Sequence, residues 1–556
     1  MNTQPRHNDA RSGSYLLVLL AVLWFASMPF RALMDPDEGR YAEIPREMLQ
    51  SHDWLTPRLN DLKYFEKPPL QYWMTAAFYS AFGVHEWTAR LWAILLAFGC
   101  LPLVYGFCRQ LGYRASTSLI ASALLAINPL FVIVGQINLL DQGFTFFVVL
   151  ALFSFLLAQR QHVLQSTASL WILLAWSALA LAILSKGIVV LVLFGLTFGT
   201  YSALTRDWSY LRHMRWPLGL VIFFAISLPW FLLVQQANPE FASFFFVHEH
   251  LARFSTRIHA RYQPGWYFPA ILLVALAPVF WSCRAMVSIY WRSRSKSTGF
   301  RTEFFLLTWC LVVLVFFSFS QSKLAPYILP MMAPLAVLFA PVIERDTQGL
   351  ARATWTVASL LVILATGIIV YFRQNDGIMT VAMLAWCGMA SITALASLAV
   401  ARSRRALEQR YACLAITFVA GVQFLFMAYA QALSYDSPKT IAALAAASTD
   451  SQTTFFSVGH YSHSVGFYLR RPMEVFDYRG ELDFGLTQRS GAIQNDLQAF
   501  QDRWARTKSG IAFIDPTSFG RLHVAGLPGS IVHRSSRVLV LDSSSAASSS
   551  EAIAIR

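Results

Sequence analysis

Asp35, Asp37 and Glu38 place three carboxylates within four residues at the end of an apolar run, and Arg40, Tyr41, Glu43, Arg46 and Glu47 follow directly. Acids crowded this closely beside lipid are expensive, and such a group serves as a base or holds a cation. A helix cap is the competing reading, with Asp35 or Asp37 capping an amphipathic helix that starts near Glu38. One acid is enough for a cap, whereas this run carries three together with two arginines. Asp141 opens a later apolar run, while Lys67, Lys186, Arg253 and Lys323 stand where apolar runs meet polar loops. Cations, and a hydroxyl such as that of Tyr327, are the groups that meet the charge of a phosphate. Taken singly, each lysine could equally lie along apolar surface with its ammonium in water. Tyr327, between Pro326 and Pro330, could equally be an interfacial belt residue. His248-Glu249-His250 sets two imidazoles two residues apart, and Glu66 would complete a divalent-metal set, such as one for zinc, with a position left open. Imidazoles near an interface also bond lipid phosphate or backbone. His460 and His463 read as ordinary surface packing or hydrogen-bonding side chains.

The elements that carry these residues must be membrane helices. The 556-residue chain is 56% hydrophobic and 13% charged, about half the ~25% charge of a soluble domain, and its mean hydropathy is +0.48. Apolar runs long enough to span a bilayer predict about thirteen transmembrane helices, near 14–34, 87–108, 116–134, 141–158, 168–185, 187–203, 216–236, 266–290, 303–320, 325–342, 353–372, 379–400 and 411–432. The first, behind Arg6 and Arg11, lacks a small-x-small cleavage site and reads as a retained signal anchor. Loops carrying Arg109 and Arg114; Arg160; Arg206, Arg212 and Arg215; Arg292, Arg294, Lys296 and Arg301; Arg345 and Arg352; and Arg402, Arg404, Arg405 and Arg410 alternate with loops poor in Lys and Arg. The positive-inside rule makes the rich loops cytoplasmic, which sets the N-terminus inside and the C-terminus outside.

On that outer side lie the long loops 35–86 and 237–265. The first alternates polar and apolar residues around Tyr41, Ile44, Met48 and Trp54, as helices lying in the interface do. Its Gly39, Pro45, Pro57, Pro68 and Pro69 offer hinges for a lid over a site. The domain layout is therefore a transmembrane domain 1–432 that includes both loops, and a soluble domain 433–542. Hydropathy drops after Leu433, and the strand-like runs Thr453–Val458, Gly510–Ile514 and Arg537–Leu541 alternate with helical patterns, which predicts a small α/β fold. The Ser/Ala-rich tail 543–556 is expected to be disordered. A net charge of +14 in such a protein points to cytoplasmic loops and anionic lipid head groups rather than nucleic acid. Six scattered cysteines with no CxxC pair offer neither a disulfide framework nor a zinc ribbon. Asp37, Glu66, Lys67, Asp141, Lys186, Arg253, Lys323 and Tyr327 all fall in or beside outer loops, as a shared active site requires.

The run Asp35–Met48, then Trp54 and Tyr64-Phe65-Glu66-Lys67-Pro68-Pro69, resembles the first periplasmic loop of the C-superfamily polyprenyl-phosphate-sugar glycosyltransferases, in particular the lipid A 4-amino-4-deoxy-L-arabinose transferases. Asn138-Leu-Leu-Asp141, Ser185-Lys186-Gly187, His250-Leu-Ala-Arg253-Phe254 and Lys323-Leu-Ala-Pro-Tyr327-Ile-Leu-Pro330 continue the resemblance in order through about residues 30–340. It departs in carrying Asp-Pro-Asp-Glu where a single Asp-Glu pair often stands; Asp37 aligns best. The resemblance implies that fold, and an inverting transfer of aminoarabinose from undecaprenyl phosphate to a lipid A phosphate on the periplasmic face of a bacterial inner membrane. Polymyxin resistance would follow. It also implies roles. Asp37, with Asp35 and Glu38 beside it, serves the acceptor, and Asp141 supports the sugar. Lys67, Arg253 and Tyr327 cradle the lipid phosphate, with Lys186, Lys323, Arg40 and Tyr41 near it. No cofactor is required, and a divalent metal on Glu66, His248 and His250 is an open possibility. Two other readings remain: transfer to a hydroxyl of a glycan or protein, and a lipid-linked sugar transporter. Transport would ask for charges near the bilayer midplane or an internal repeat, and the sequence has neither. Oligomeric state is not legible in the sequence.

Overall fold

The computed structural model describes residues 7–162, 168–252, 262–293, 299–375, 379–447, 449–478, 480–488, 496–524, 526–535 and 538–543. The tail expected to be disordered lies outside them beyond residue 543. Among the described residues eight helices are long and apolar enough to cross a membrane: Glu86–Gln110, Leu140–Arg160, Trp216–Ala237, Thr302–Phe319, Ala325–Ile343, Gly349–Gln374, Val381–Ala401 and Leu407–Ala432. The chain is a multi-span membrane protein. A ninth expected span is broken into Tyr267–Ala275 and Ala277–Arg292, bent by 87°. Pro278 explains the break, because proline cannot continue the hydrogen-bond ladder of the helix before it and sits at the start of the next. The other four expected spans meet shorter apolar helices at Tyr15–Phe30, Ala115–Ala126, Leu170–Lys186 and Val189–Thr205. Expected span 116–134 ends early because Asn128 caps a new helix, Pro129–Val134, its Oδ1 accepting from Phe131 N at 2.9 Å. Leu218, Val221, Phe224, Leu228 and Leu232 are exposed at the three- and four-residue spacing of one helix face, a stripe suited to lipid.

The chain divides into two compact units. One comprises Met1–Phe30, Glu66–Gln71 and Arg90–Gln431; the other comprises Arg31–Phe65, Tyr72–Ala89 and Ala432–Arg556. The first unit is a helical bundle whose buried aromatics include Trp24, Trp309, Phe155 and Tyr201. Arg90, wholly buried, donates from Nη1 to Met28 O at 3.1 Å.

The second unit joins most of the loop 35–86 to the C-terminal residues. Its sheet has five strands in the order β4 (Glu474–Phe476), β3 (Thr454–Val458), β5 (Gly510–Ile514), β7 (Leu539–Asp542) and β6 (Ser530–Arg534). β3 runs parallel to β4 and β5, and β7 runs antiparallel to β5 and β6. Phe456, Phe476, Phe500, Trp504, Ile514 and Leu522 form its core. Within the loop, β1 (Arg58–Leu59) and β2 (Leu62–Lys63) make a hairpin. Asn60 and Asp61 both adopt positive φ, 57° and 60°, the geometry of a two-residue type I′ turn. The Glu47 carboxylate takes both turn N–H groups, at 2.6 Å from Asn60 and 3.0 Å from Asp61. Asn60 then exchanges two hydrogen bonds with the backbone of Met473, at 2.8 and 2.7 Å. The helix Asp37–Ser51 packs on the helix His463–Leu469. Gly39 allows the approach, since a Cβ there would collide with the backbone nitrogen of Ser464.

Candidate active site

The three clustered acids do three different things. Asp35 accepts from Ser464 N at 2.7 Å and from the Ser462 hydroxyl, at the N-terminus of the helix His463–Leu469, where orphan N–H groups favour an anion. It therefore caps a helix, though not its own. Glu38 is wholly buried, and its Oε2 accepts from Met34 N at 3.0 Å. Asp37, the first residue of the helix Asp37–Ser51, keeps 38% of its side chain exposed. Its carboxylate pairs with Arg40 one turn on, and the other end of the same guanidinium pairs with Glu481. Arg40 is buried and its Cζ lies 4.9 Å from the Tyr41 ring centre. Burial opposes the charge of Arg40, but Tyr41, Tyr64, Glu481 and Asp37 outweigh it and raise the guanidinium well above its ordinary value. Tyr41, also buried, faces Tyr72 with ring centres 6.3 Å apart. Close by, burial and the neighbouring Glu43 push Glu47 up to about 8, against the pull of its two backbone N–H bonds and Arg46.

Glu481 carries no signal in the sequence, and His463 reads there only as an ordinary packing or hydrogen-bonding side chain. His463 is buried rather than at the surface, and its Nε2 lies 3.3 Å from Glu481 Oε2. His460, expected to be a surface side chain, has its pKa lowered by burial. Burial alone would raise Glu481, yet Arg40 and His463 hold its carboxyl well below the usual carboxylate range. Spacing carries no signal for this partner, because Glu481 stands 441 residues from Arg40.

The membrane unit carries a second cluster. Asp141, in the first turn of the helix Leu140–His162, pairs with Lys186 at the end of the helix Ala168–Lys186. The Lys186 ammonium lies 4.4 Å from the Tyr327 ring centre and 5.6 Å from that of Phe144. Gln71 Nε2 donates to Asn138 Oδ1 at 2.9 Å, in the short non-helical stretch three residues before Asp141. Lys67 faces Glu249, Nζ to Oε2 at 3.5 Å, and donates to its neighbour Glu66 O at 2.8 Å. Glu249 is the residue that sequence reasoning passed over between the two histidines. The π-helix Ser243–Ala252 turns it inward to near-complete burial, with His248 Nδ1 at 3.4 Å from its Oε1. Lys323 is buried and donates to Ser320 O at 2.5 Å and Gln263 O at 2.9 Å; desolvation lowers its pKa. Glu66 is buried too. Among the described residues no three His, Cys, Asp or Glu side chains stand close enough together to hold a metal ion. Arg253 and the side chain of His250 lie outside the described residues.

Each cluster is an acid held by a cation. Such pairs hold oriented charge ready for a polar substrate at low reorganisation cost. The family model of dolichyl-phosphate-mannose-protein mannosyltransferases matches residues 14–245, and that of the aminoarabinose transferase C-terminal domain matches residues 441–543. The undecaprenyl phosphate-alpha-4-amino-4-deoxy-L-arabinose arabinosyl transferase of Edwardsiella ictaluri is 33% identical over 343 residues, 62% of this chain and 61% of its own length. That of Yersinia pestis strain Pestoides F is 31% identical over 397 residues, 68% of this chain and 70% of its own. The crystal structure of apo ArnT from Cupriavidus metallidurans matches with a TM-score of 0.85 at 29% identity, covering 97% of this chain and 99% of that one. The structure of that protein bound to undecaprenyl phosphate gives 0.83 at 29%, covering 95% and 97%.

Proposed function

The chain belongs to the undecaprenyl phosphate-aminoarabinose arabinosyl transferase family, and on that premise we propose that it moves 4-amino-4-deoxy-L-arabinose from undecaprenyl phosphate to a phosphate of lipid A. The observation that carries this reading is the likeness at both ends of the chain, to a lipid-phosphate-sugar transferase over 14–245 and to the aminoarabinose branch over 441–543. The work is done in a bacterial inner membrane, N-terminus in the cytoplasm, site and C-terminal domain in the periplasm. Capping an anionic phosphate with an amine lowers the pull on cationic peptides such as polymyxin.

The reaction balances simply. An oxygen of the acceptor phosphate attacks the anomeric carbon, a new C–O bond forms, and the C–O bond to the undecaprenyl phosphate breaks with its electron pair leaving on that phosphate. A single displacement inverts the anomeric centre. A monoester acceptor is mostly dianionic near neutral pH, its second pKa being about 6, so charge passes from one phosphate to another and no strong base is needed. A carboxylate held by Arg40 suits this chemistry: Asp37 orients the acceptor and takes the residual proton of its monoanion. Lys67, Arg253 and the hydroxyl of Tyr327 meet the charge gathering on the leaving phosphate, with Lys186 and Lys323 as reserve cations. Asp141 supports the amino sugar, and Lys186 holds that carboxylate in place.

Mass spectrometry of lipid A tests the proposal. The host is a polymyxin-sensitive strain that lacks its own aminoarabinose transferase but makes the donor, and it expresses either this chain or Asp37→Asn. The expected result is one or more aminopentose mass increments with the parent and none with the variant. Folded parent chain that leaves lipid A unchanged would withdraw the acceptor assignment. The likeness of residues 14–245 to protein mannosyltransferases would then favour a hydroxyl acceptor, for which a base close to the hydroxyl becomes obligatory.

A further inference from the structure

We infer that the C-terminal domain takes part in the transfer through Glu481, a positioning residue that fixes Asp37 by holding the far end of the Arg40 guanidinium. The inference rests on the role of Asp37 in the proposed reaction. Its ground is geometric. Arg40 offers a rigid planar fork of donors, and the two terminal nitrogens go to two different carboxylates, Nη2 to Asp37 and Nη1 to Glu481. Held at one end only, the guanidinium could swing and carry the half-exposed Asp37 with it. Held at both ends, it offers Asp37 one direction.

Glu481 is itself held. It stands in the short helix Gly480–Leu482, and its Oε2, the oxygen that Arg40 takes, also lies 3.3 Å from His463 Nε2. The His463 ring is braced edge-on by Tyr461, with ring centres 5.0 Å apart and planes at 82°. Side-chain exposure is 3% at Arg40, 2% at His463 and 18% at Glu481, so this relay sits largely out of water and only its last member, Asp37, faces solvent. Buried ion pairs add little to stability compared with apolar packing, and their best-attested use is to specify one arrangement. A second acid is also more than Arg40 needs for neutrality, since Asp37 alone supplies that. With both terminal nitrogens engaged, Arg40 aims a carboxylate instead of serving as a phosphate ligand.

Initial rates with undecaprenyl-phosphate-linked aminoarabinose and lipid A, measured on the purified full chain, test this. Glu481→Gln should lower kcat by roughly tenfold or more and leave the KM for donor within about twofold. Glu481→Asp, which keeps the charge on a shorter arm, should fall between Glu481→Gln and the parent, and it decides the matter if Glu481→Gln does not fold. Arg503→Gln breaks an ion pair of the same domain, Arg503 with Glu474 at 2.8 Å, and should stay within about twofold of the parent. Parental kcat in the Glu481 variants overturns the inference, as does a loss seen wholly in KM or an equal loss in Arg503→Gln. A parent chain with no transfer at all would instead overturn the proposed function, so the two failures are distinguishable.

Discussion

Asp35, Asp37 and Glu38 are three acids of nearly the same chemistry, and their neighbours sort them. Asp35 holds the start of a helix, Glu38 a buried turn, and Asp37 is left facing water with an arginine at its side. Asp37→Asn should therefore abolish transfer, by about 100-fold or more, while leaving the melting temperature close to the parent's. Asp35→Ala should do the reverse in kind: losing a cap of this sort costs about 1 kcal/mol, read as a lower melting temperature with residual activity. A thermal melt and a rate on each variant separate the two. The cluster itself was legible in the sequence, and so were Asp141, Lys67 and Lys186 as ionisable residues at the edges of spans. Their division of labour was not. It depends on Ser464 and Glu481, 429 and 441 residues away along the chain, and no local pattern encodes such partners. Glu249 was overlooked for another reason. Between two histidines it reads as a spacer, and only the π-helical turn brings it to Lys67. The Asp141–Lys186 pair yields its own prediction. Asp141→Asn and Lys186→Met each strand the opposite charge, whereas the double variant strands neither. Thermal stability should thus be less than additive, with a coupling of about 0.5–3 kcal/mol, and strict additivity would refute the pairing.

At the scale of elements, hydropathy identified the membrane helices because burying twenty backbone amides in lipid leaves few alternatives to a helix. What it could not reveal was where a run breaks internally. Asn128-Pro129 and Pro278 interrupt runs that are apolar throughout, and the break comes from capping and a missing N–H rather than from polarity. Three of the five C-terminal strands were visible as apolar runs. β4 has only three residues, and β6 mixes Ser530, His533 and Arg534 with its two apolar positions, so period-two alternation had nothing to register. The contact between the helices Asp37–Ser51 and His463–Leu469 makes a sharper demand. Gly39 has no room for a methyl group against Ser464, and overpacking of this kind typically costs about 1–3 kcal/mol. Gly39→Ala should lower both the melting temperature and kcat, since forcing these helices apart also pulls Arg40 from Glu481. A Gly39→Ala chain as stable and active as the parent would mean that the helices do not pack as closely as described.

For the whole molecule, the division into units matters more than the order of the chain. The compact unit that carries Asp37 is built from most of the loop 35–86 and the C-terminal residues together, so a chain ending at residue 432 keeps every apolar span and loses Ser462, His463, Ser464 and Glu481. It should insert into membranes and transfer less than about 1% of the parental amount. The same unit should feel acid. Burial alone would raise the Glu481 carboxyl above its ordinary value of 4.5, but Arg40 and His463 hold it well below. Between pH 4.5 and that lower value the unfolded chain takes up a proton that the folded chain refuses, so the stability that Glu481 contributes is complete above about 4.5 and drains away as the pH falls below it. Gln at this position cannot titrate. The melting-temperature gap between the parent and Glu481→Gln should therefore hold steady from about pH 7 to 5 and narrow from about pH 4.5 to 3.5. A gap that stays constant through the acid range would mean that Glu481 is not held by charge and does not steer Asp37 through Arg40.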